Sequence, residues 1–327
     1  MLKPSAVLDN STMKESIMSL MENLMQTDPY SPCTLCPRRC GADRSRGITG
    51  FCGMTDEVIV NTSMIHRGEE PVLGGKGGCG AVFFEGCSLK CIFCQNHKIT
   101  KRTGKGTSYD DEGLAELFLE LASKGAGAID LVTATHYAPT VSKAIRLAKD
   151  KGLGIPVIYN CSGYESVSTL KLFDGLVDIY LPDLKYYSSK VSSKYANAPD
   201  YFPISCLALD EMFRQTGKIK TDASGTVMTK GMIVRHMMLP GNLFDSKHIL
   251  DYLISRFGDD IFISLMSQYT PMPHILENES APDELKRPLS EENYGRLTDY
   301  LAELGQTNAF VQEMSSSGSL MIPDFKS

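Results

Sequence analysis

The chain has 327 residues, 42% of them hydrophobic, and its 28 glycines bring the apolar share to about half, the proportion of an ordinary globular protein with a real core. Its net charge is -6 and no apolar run approaches the roughly 18 residues of a membrane span. These figures argue against a membrane protein and against a general nucleic-acid or anionic-lipid surface, where clustered Lys and Arg dominate binding.

Residues 1–8 lack the basic stretch and apolar core of an export signal, so the expected location is the cytoplasm. Ten cysteines in a reducing compartment point to metal rather than to disulfides. A first segment, residues 1–27, carries Ile17, Leu20, Met21, Leu24 and Met25 at the spacing of an amphipathic helix. A second, residues 28–72, opens with a stretch rich in Pro, Gly, Cys and Arg and without periodicity. It holds Cys33, Cys36, Cys40 and Cys52, four thiols with short spacers that suffice for a tetrahedral zinc site or for a complete 4Fe-4S cluster. Arg38, Arg39, Arg44 and Arg46 make it locally basic.

The third segment, residues 73–275, begins with Gly74-Gly75-Lys76-Gly77-Gly78-Cys79-Gly80. This run has neither phosphate-loop nor dinucleotide spacing and is expected to bring flexible backbone toward a neighbouring site. Strands are predicted over residues 81–85, 128–133, 155–160, 177–181, 232–239 and 261–266. Between them lie a helix marked by Leu114, Leu117, Phe118 and Leu121 and capped near Ser108, one beginning near Pro139, and one marked by Ile249, Leu250, Leu253, Ile254 and Phe257 and closed by Gly258. Repeated βα units imply a parallel sheet, as a partial barrel of about six strands or a doubly wound sheet, with chemistry at the C-terminal strand ends in either case. The fourth segment, residues 276–327, should hold a solvated polar loop over residues 277–293 and a helix capped by Ser290.

Directly after the first predicted strand comes Gly86-Cys87-Ser88-Leu89-Lys90-Cys91-Ile92-Phe93-Cys94. Three thiolates on one short loop can wrap one iron-sulfur cluster and leave an iron with an open position. The alternative is zinc, completed by Cys79 or by a histidine such as His97, although zinc sites more often pair two-residue spacers.

The C-x-x-x-C-x-x-C spacing with Phe93 before the last cysteine resembles the signature of the radical SAM superfamily. Phe83-Phe84-Glu85-Gly86-Cys87 and Cys94-Gln95-Asn96 resemble, within it, the activating enzymes of glycyl radical enzymes, of which pyruvate formate-lyase-activating enzyme is the type. The resemblance implies an α/β fold, a partial (β/α)6 barrel, here joined to the N-terminal four-cysteine element. It implies a 4Fe-4S cluster on Cys87, Cys91 and Cys94 that binds S-adenosylmethionine (SAM) and cleaves it reductively to a 5'-deoxyadenosyl radical. It also implies an electron donor such as flavodoxin or ferredoxin and hydrogen abstraction from a protein or peptide; modification of a small molecule or RNA, or a scaffold without turnover, are the alternatives. Asn160 and Ser162 after one strand, and Asp183 and Lys185 after another, match elements that cradle SAM, the lysine as a point charge for its carboxylate. The superfamily's Gly-Gly-Glu-type stretch is absent, and Thr135 and His136 are the candidates in its place. The activators' Asp-Gly-Pro-Gly-x-Arg stretch is replaced by the glycine run. His236, inside an apolar strand, reads as a core histidine.

Overall fold

The computed structural model describes residues 28–314 together with Pro323, Phe325 and Lys326. The amphipathic helix expected within residues 1–27 lies outside the described residues. Ten strands follow in chain order: β1 (Val58–His66), β2 (Cys79–Phe84), β3 (Thr107–Tyr109), β4 (Ala128–Val132), β5 (Val157–Cys161), β6 (Ile179–Pro182), β7 (Lys220–Thr221), β8 (Met228–Met237), β9 (Phe262–Met266) and β10 (Ala309–Val311). They form one sheet ordered β10-β9-β8-β6-β5-β4-β2-β1-β3, with β7 beside β8. From β2 to β10 every neighbouring pair on this path is parallel, while β1 pairs antiparallel with both β2 and β3.

All six predicted strands are present, and β10 is a seventh parallel one. The parallel strands follow one another in a single direction, without the reversal that defines a doubly wound sheet. Side chains from β2, β4, β5, β8 and β9 line one cavity, so the sheet curls around it as a barrel left open between β3 and β10. The helices Asp111–Ser123, Ala138–Asp150 and Leu243–Phe257 cover the outside, each burying the apolar stripe seen in its sequence.

Period-two alternation divides the strand residues between the two faces. Val82, Ile129, Leu131, Tyr159 and Val234 belong to the outer core beneath the helices. Ile158, Ile179, Leu181 and Ile233 fill the barrel floor, and polar Asp130 and Asn160 are buried on the strands that enclose it. Burial on both faces is what parallel strands require.

Several expectations are corrected. The first helix is capped by Asp110, whose side chain accepts from the Gly113 N–H at 2.8 Å, because Ser108 is engaged in β3. The glycine run sits at the N-terminal end of β2, opposite the cysteine loop. A side chain on Gly77 would stand 2.2 Å from the Gly125 carbonyl oxygen, and Gly127 N–H donates to the Gly78 carbonyl at 2.8 Å; the run closes the barrel floor by backbone contact rather than serving a site. The 277–293 loop is not merely solvated, since it buries Ala281, Leu285 and Leu289 and its Leu285 carbonyl accepts from Tyr269 Oη at 2.5 Å. The helices Ser189–Ala196 and Tyr201–Thr216 were not anticipated. Ser290 caps its helix as expected, accepting from Asn293 N–H.

Candidate active site

The end of β2 is the place where the chain must turn sharply into the cavity. Gly86 takes φ +92°, and a Cβ there would stand 2.3 Å from Met54 Cγ and 2.8 Å from His136 Nε2, so only glycine lets the loop lie this close to its neighbours. Beyond it Cys87, Cys91 and Cys94 all line one cavity of about 200 Å³. None of the three is in a disulfide. Leu89 and Lys90 N–H both donate to Cys87 Sγ at 3.4 Å, and Tyr186 Oη donates to Cys91 Sγ at 3.1 Å. Phe93 lines the cavity too and packs in an aromatic nest of Tyr186, Tyr195 and Tyr269, with ring centroids 6.0 to 6.4 Å from its own, which anchors the loop between its last two cysteines.

Burial pushes the Cys91 thiol up to about 11 and the Cys94 thiol up to about 12. These two buried sulfurs therefore stay protonated until a cationic group neutralises them. Three free thiols converging on one cavity, with donors already aimed at two of them, fit an iron-sulfur cluster with one open position. The zinc alternative loses its partners. Cys79 is buried at the far end of β2, and His97 is stacked on His274 with ring centroids 3.9 Å apart. Among the described residues no group of three or more His, Cys, Asp or Glu is set to hold a single metal ion.

Four of the six predicted SAM residues, Asn160, Ser162, Asp183 and Lys185, line the same cavity. They belong to a charged network. Lys185 Nζ pairs with Asp183 Oδ2 at 2.5 Å. On the other side Arg235 donates from Nε to Asp183 Oδ1 at 3.2 Å, from Nη1 to Glu69 Oε2 at 3.2 Å and from Nη2 to Asn160 Oδ1 at 2.5 Å. Burial alone would raise the Asp183 carboxyl, but Lys185 and Arg235 hold it below its ordinary value. Asp130 beneath them is pushed upward by burial and by the charge of Glu69; its Oδ2 accepts from Asn160 Nδ2 at 3.2 Å, while its Oδ1 has no partner.

The structure does not bring Thr135 and His136 to this cavity. Thr135 Oγ1 donates to Glu165 Oε1 at 2.8 Å, and His136 Nε2 meets the Glu85 carbonyl at 2.7 Å, both buried behind the wall. Thr133 lines the cavity instead, with φ +64°, a conformation that strains a β-branched residue and recurs at functional sites. Arg235, Glu69 and Asp130 escaped sequence reasoning because two sit inside apolar strands and all depend on long-range partners; Arg235, a lone charge at an inward position of an apolar strand, was the available signal. His236 is the satisfied core histidine expected, bonded to the Leu184 carbonyl at 2.7 Å and Ser246 Oγ at 2.8 Å.

The N-terminal cysteines gather against the same loop. A Cβ on Gly50 would stand 3.2 Å from Cys40 Sγ and 3.5 Å from Cys52 Sγ, so the backbone leaves a cradle for these sulfurs. Arg44 Nη1 lies 3.6 Å from Cys33 Sγ, and burial pushes the Cys36 thiol up to about 12.

Residues 81–204 match the family model described as Radical SAM superfamily. The matched segment runs from within β2 to the start of the helix Tyr201–Thr216 and contains the three cavity cysteines. A 251-residue stretch, 74% of the chain and 67% of the relative, is 28% identical to the uncharacterized protein MJ0674 of Methanocaldococcus jannaschii. Among solved structures the chain is similar to Streptococcus suis SuiB bound to the precursor peptide SuiA, with TM-score 0.47 and 13% identity over 69% of this chain and 46% of that one. It is also similar to methylornithine synthase (PylB), with TM-score 0.42 and 17% identity over 73% of this chain and 70% of that one. The chain thus spans less than half the length of SuiB. Among the described residues no helix is long and apolar enough to cross a membrane.

Proposed function

We propose that the chain is a radical SAM enzyme that holds a 4Fe-4S cluster on Cys87, Cys91 and Cys94, binds SAM against Asn160, Ser162, Asp183 and Lys185, and acts on a protein or peptide. The observation that carries this reading is the convergence of the three thiols, on a loop after a parallel strand, with that polar set in one cavity. When bound, the cluster and SAM supply reductive cleavage of the sulfonium and a 5'-deoxyadenosyl radical that abstracts a hydrogen atom.

The chain's own residues do the rest. Lys185 presents an ammonium to the SAM carboxylate while Asp183, held charged by its two cationic neighbours, is fixed as an acceptor for an amine or ribose hydroxyl. Arg235 orients Asp183 and Asn160 together. The aromatic nest around Phe93 keeps water from one side of the loop. Electrons would come from a flavodoxin- or ferredoxin-like donor. Activation of a glycyl radical enzyme is the finer form of this reading and rests on the resemblance of residues 83–96. For Cys33, Cys36, Cys40 and Cys52 we favour a second 4Fe-4S cluster over zinc, because a cluster spreads its thiolates over separate irons while zinc gathers them around one ion.

The test is anaerobic reconstitution, reduction, addition of SAM and quantification of 5'-deoxyadenosine, with iron and zinc counted. Wild type and Cys206→Ala should form it; Cys87→Ala, Cys91→Ala and Cys94→Ala should not. Equal product from all five proteins overturns the assignment.

A further inference from the structure

Beside the cysteine cavity a small apolar slot on the barrel wall is filled by part of the chain itself. Phe325 is buried among Ala81, Phe83, Ile99 and Val132, its ring edge-on to Phe83 at 5.4 Å. The next residue is gripped by its backbone. Lys326 N–H donates to Asn61 Oδ1 and Asn61 Nδ2 donates to the Lys326 carbonyl, both at 3.0 Å. One amide side chain making both bonds to a single residue does what a neighbouring strand would do, and it reads backbone rather than side chain.

Asn61 is built for this position. The register of β1 on β2 slips between Val60 and Thr62, which makes Asn61 the extra residue of a β-bulge. Bulges re-aim a side chain and concentrate beside active sites. Asn61 is fully buried, and its Nδ2 is also fixed by Glu85 Oε1 at 2.8 Å, two residues before Cys87. Phe83 and Val132, which pack on Phe325, also line the cysteine cavity, as does Pro323. The slot and the cavity therefore share a wall.

We propose that this slot is a docking site for an extended segment of a protein or peptide substrate, read by one aromatic side chain in the Phe83 pocket and by backbone pairing to Asn61, and that Phe325 and Lys326 occupy it in the resting chain. The proposal rests on the reading that the neighbouring cavity serves a protein or peptide. It adds where such a substrate would be gripped and what must leave first. An apolar pocket with a single two-bond backbone clamp suits a short β-augmentation-like contact, in which main-chain bonds give affinity and the pocket gives selectivity.

The test uses a fluorescein-labelled peptide with the sequence of residues 319–327, titrated into the iron-loaded chain and followed by anisotropy. Wild type, with its own segment in place, should bind it at least tenfold more weakly than the full-length Phe325→Ala chain. The same peptide with its phenylalanine replaced by alanine should bind Phe325→Ala at least tenfold more weakly than the original, and adding Asn61→Ala to that chain should cost a similar factor. If Phe325→Ala does not fold, as judged by circular dichroism and melting temperature, Phe325→Leu, a smaller plug without the ring contact to Phe83, carries the comparison and should bind the peptide at least threefold more tightly than wild type. Absence of saturable binding to the folded variant, or equal binding of the two peptides, overturns the proposal. The readout needs neither SAM nor turnover. A chain that binds the peptide but forms no 5'-deoxyadenosine keeps the slot and loses the catalytic reading, and the opposite result loses the slot alone.

Discussion

The carbonyl oxygen of Cys52 accepts the backbone N–H of Cys87 at 3.4 Å. The last cysteine of the N-terminal group is thereby bonded directly to the first cysteine of the cavity loop. Arg38, between Cys36 and Cys40, extends the join, donating from Nε to the Ser88 carbonyl at 2.9 Å and from Nη2 to the Leu89 and Ala196 carbonyls at 3.2 and 2.8 Å. The two groups are therefore one mechanical unit, and order in one is transmitted to the other.

Arg38→Ala should accordingly loosen the cavity loop without touching a cysteine. Several carbonyls lose a charged donor at once, so stability should fall by about 2 kcal/mol, and iron per chain after desalting should drop relative to wild type. Arg38→Lys keeps the charge but not the planar fork that reaches several carbonyls together, and should recover less than half of the loss. Urea unfolding with iron analysis decides it; an Arg38→Ala protein with wild-type stability and iron would show that the join carries no load.

Gly86→Ala should be severe. The residue combines φ +92° with a Cβ position 2.3 Å from Met54 Cγ and 2.8 Å from His136 Nε2, and both neighbours are themselves buried. Strain and overpacking together should cost about 2–4 kcal/mol, read as a lowered melting temperature. Gly175→Ala, where nothing lies within 4 Å of the added carbon although φ is also positive, isolates the backbone part and should cost less.

The parallel strands were legible because each is a short, nearly continuous apolar run between turn residues, as burial on both faces demands. β1 was not, since its polar Asn61, Thr62 and Ser63 interrupt the pattern where the strand pairs antiparallel near the sheet edge and bulges. β3, β7 and β10 are two or three residues each, too short to show a period. The cysteine loop was legible from spacing alone, and Asn160, Ser162, Asp183 and Lys185 from their place after predicted strands. Thr135 and His136 were placed by the same logic, but β4 ends with the turn at Thr133, and the chain dives behind the wall before reaching them. Glu69 and Arg235 are far apart in sequence and meet only because β8 lies across the barrel from the segment following β1, a relation that no local pattern encodes.

Lys185→Ala should weaken SAM binding about tenfold while iron content falls far less than in Cys91→Ala, because the Lys185 ammonium is bonded to Asp183 at 2.5 Å and only its charge favours the Cys91 thiolate. Removing the ammonium leaves Asp183 paired to Arg235 alone, so the fold should survive. Equilibrium dialysis with labelled SAM on the iron-loaded protein measures this. Unchanged affinity would return Lys185 to a structural ion pair.

Glu165 gives a pH prediction whose sign follows from its surroundings. It is buried behind the cavity wall, accepting from Thr135 Oγ1 at 2.8 Å and Tyr159 Oη at 3.4 Å, and burial raises its carboxyl from 4.5 to about 8. Between those values the folded chain keeps a proton that the unfolded chain has released, so its contribution to stability is complete below about pH 4.5 and is lost as pH rises through about 8. The loss should be on the order of 4–5 kcal/mol across that window. Glu165→Gln, neutral at every pH and able to keep a hydrogen bond to Thr135, should show a visibly flatter dependence. Urea denaturation at half-unit steps from pH 5 to 9 compares the two; parallel curves would mean that Glu165 is already ionised in the folded chain, its charge carried by the two hydroxyl donors alone.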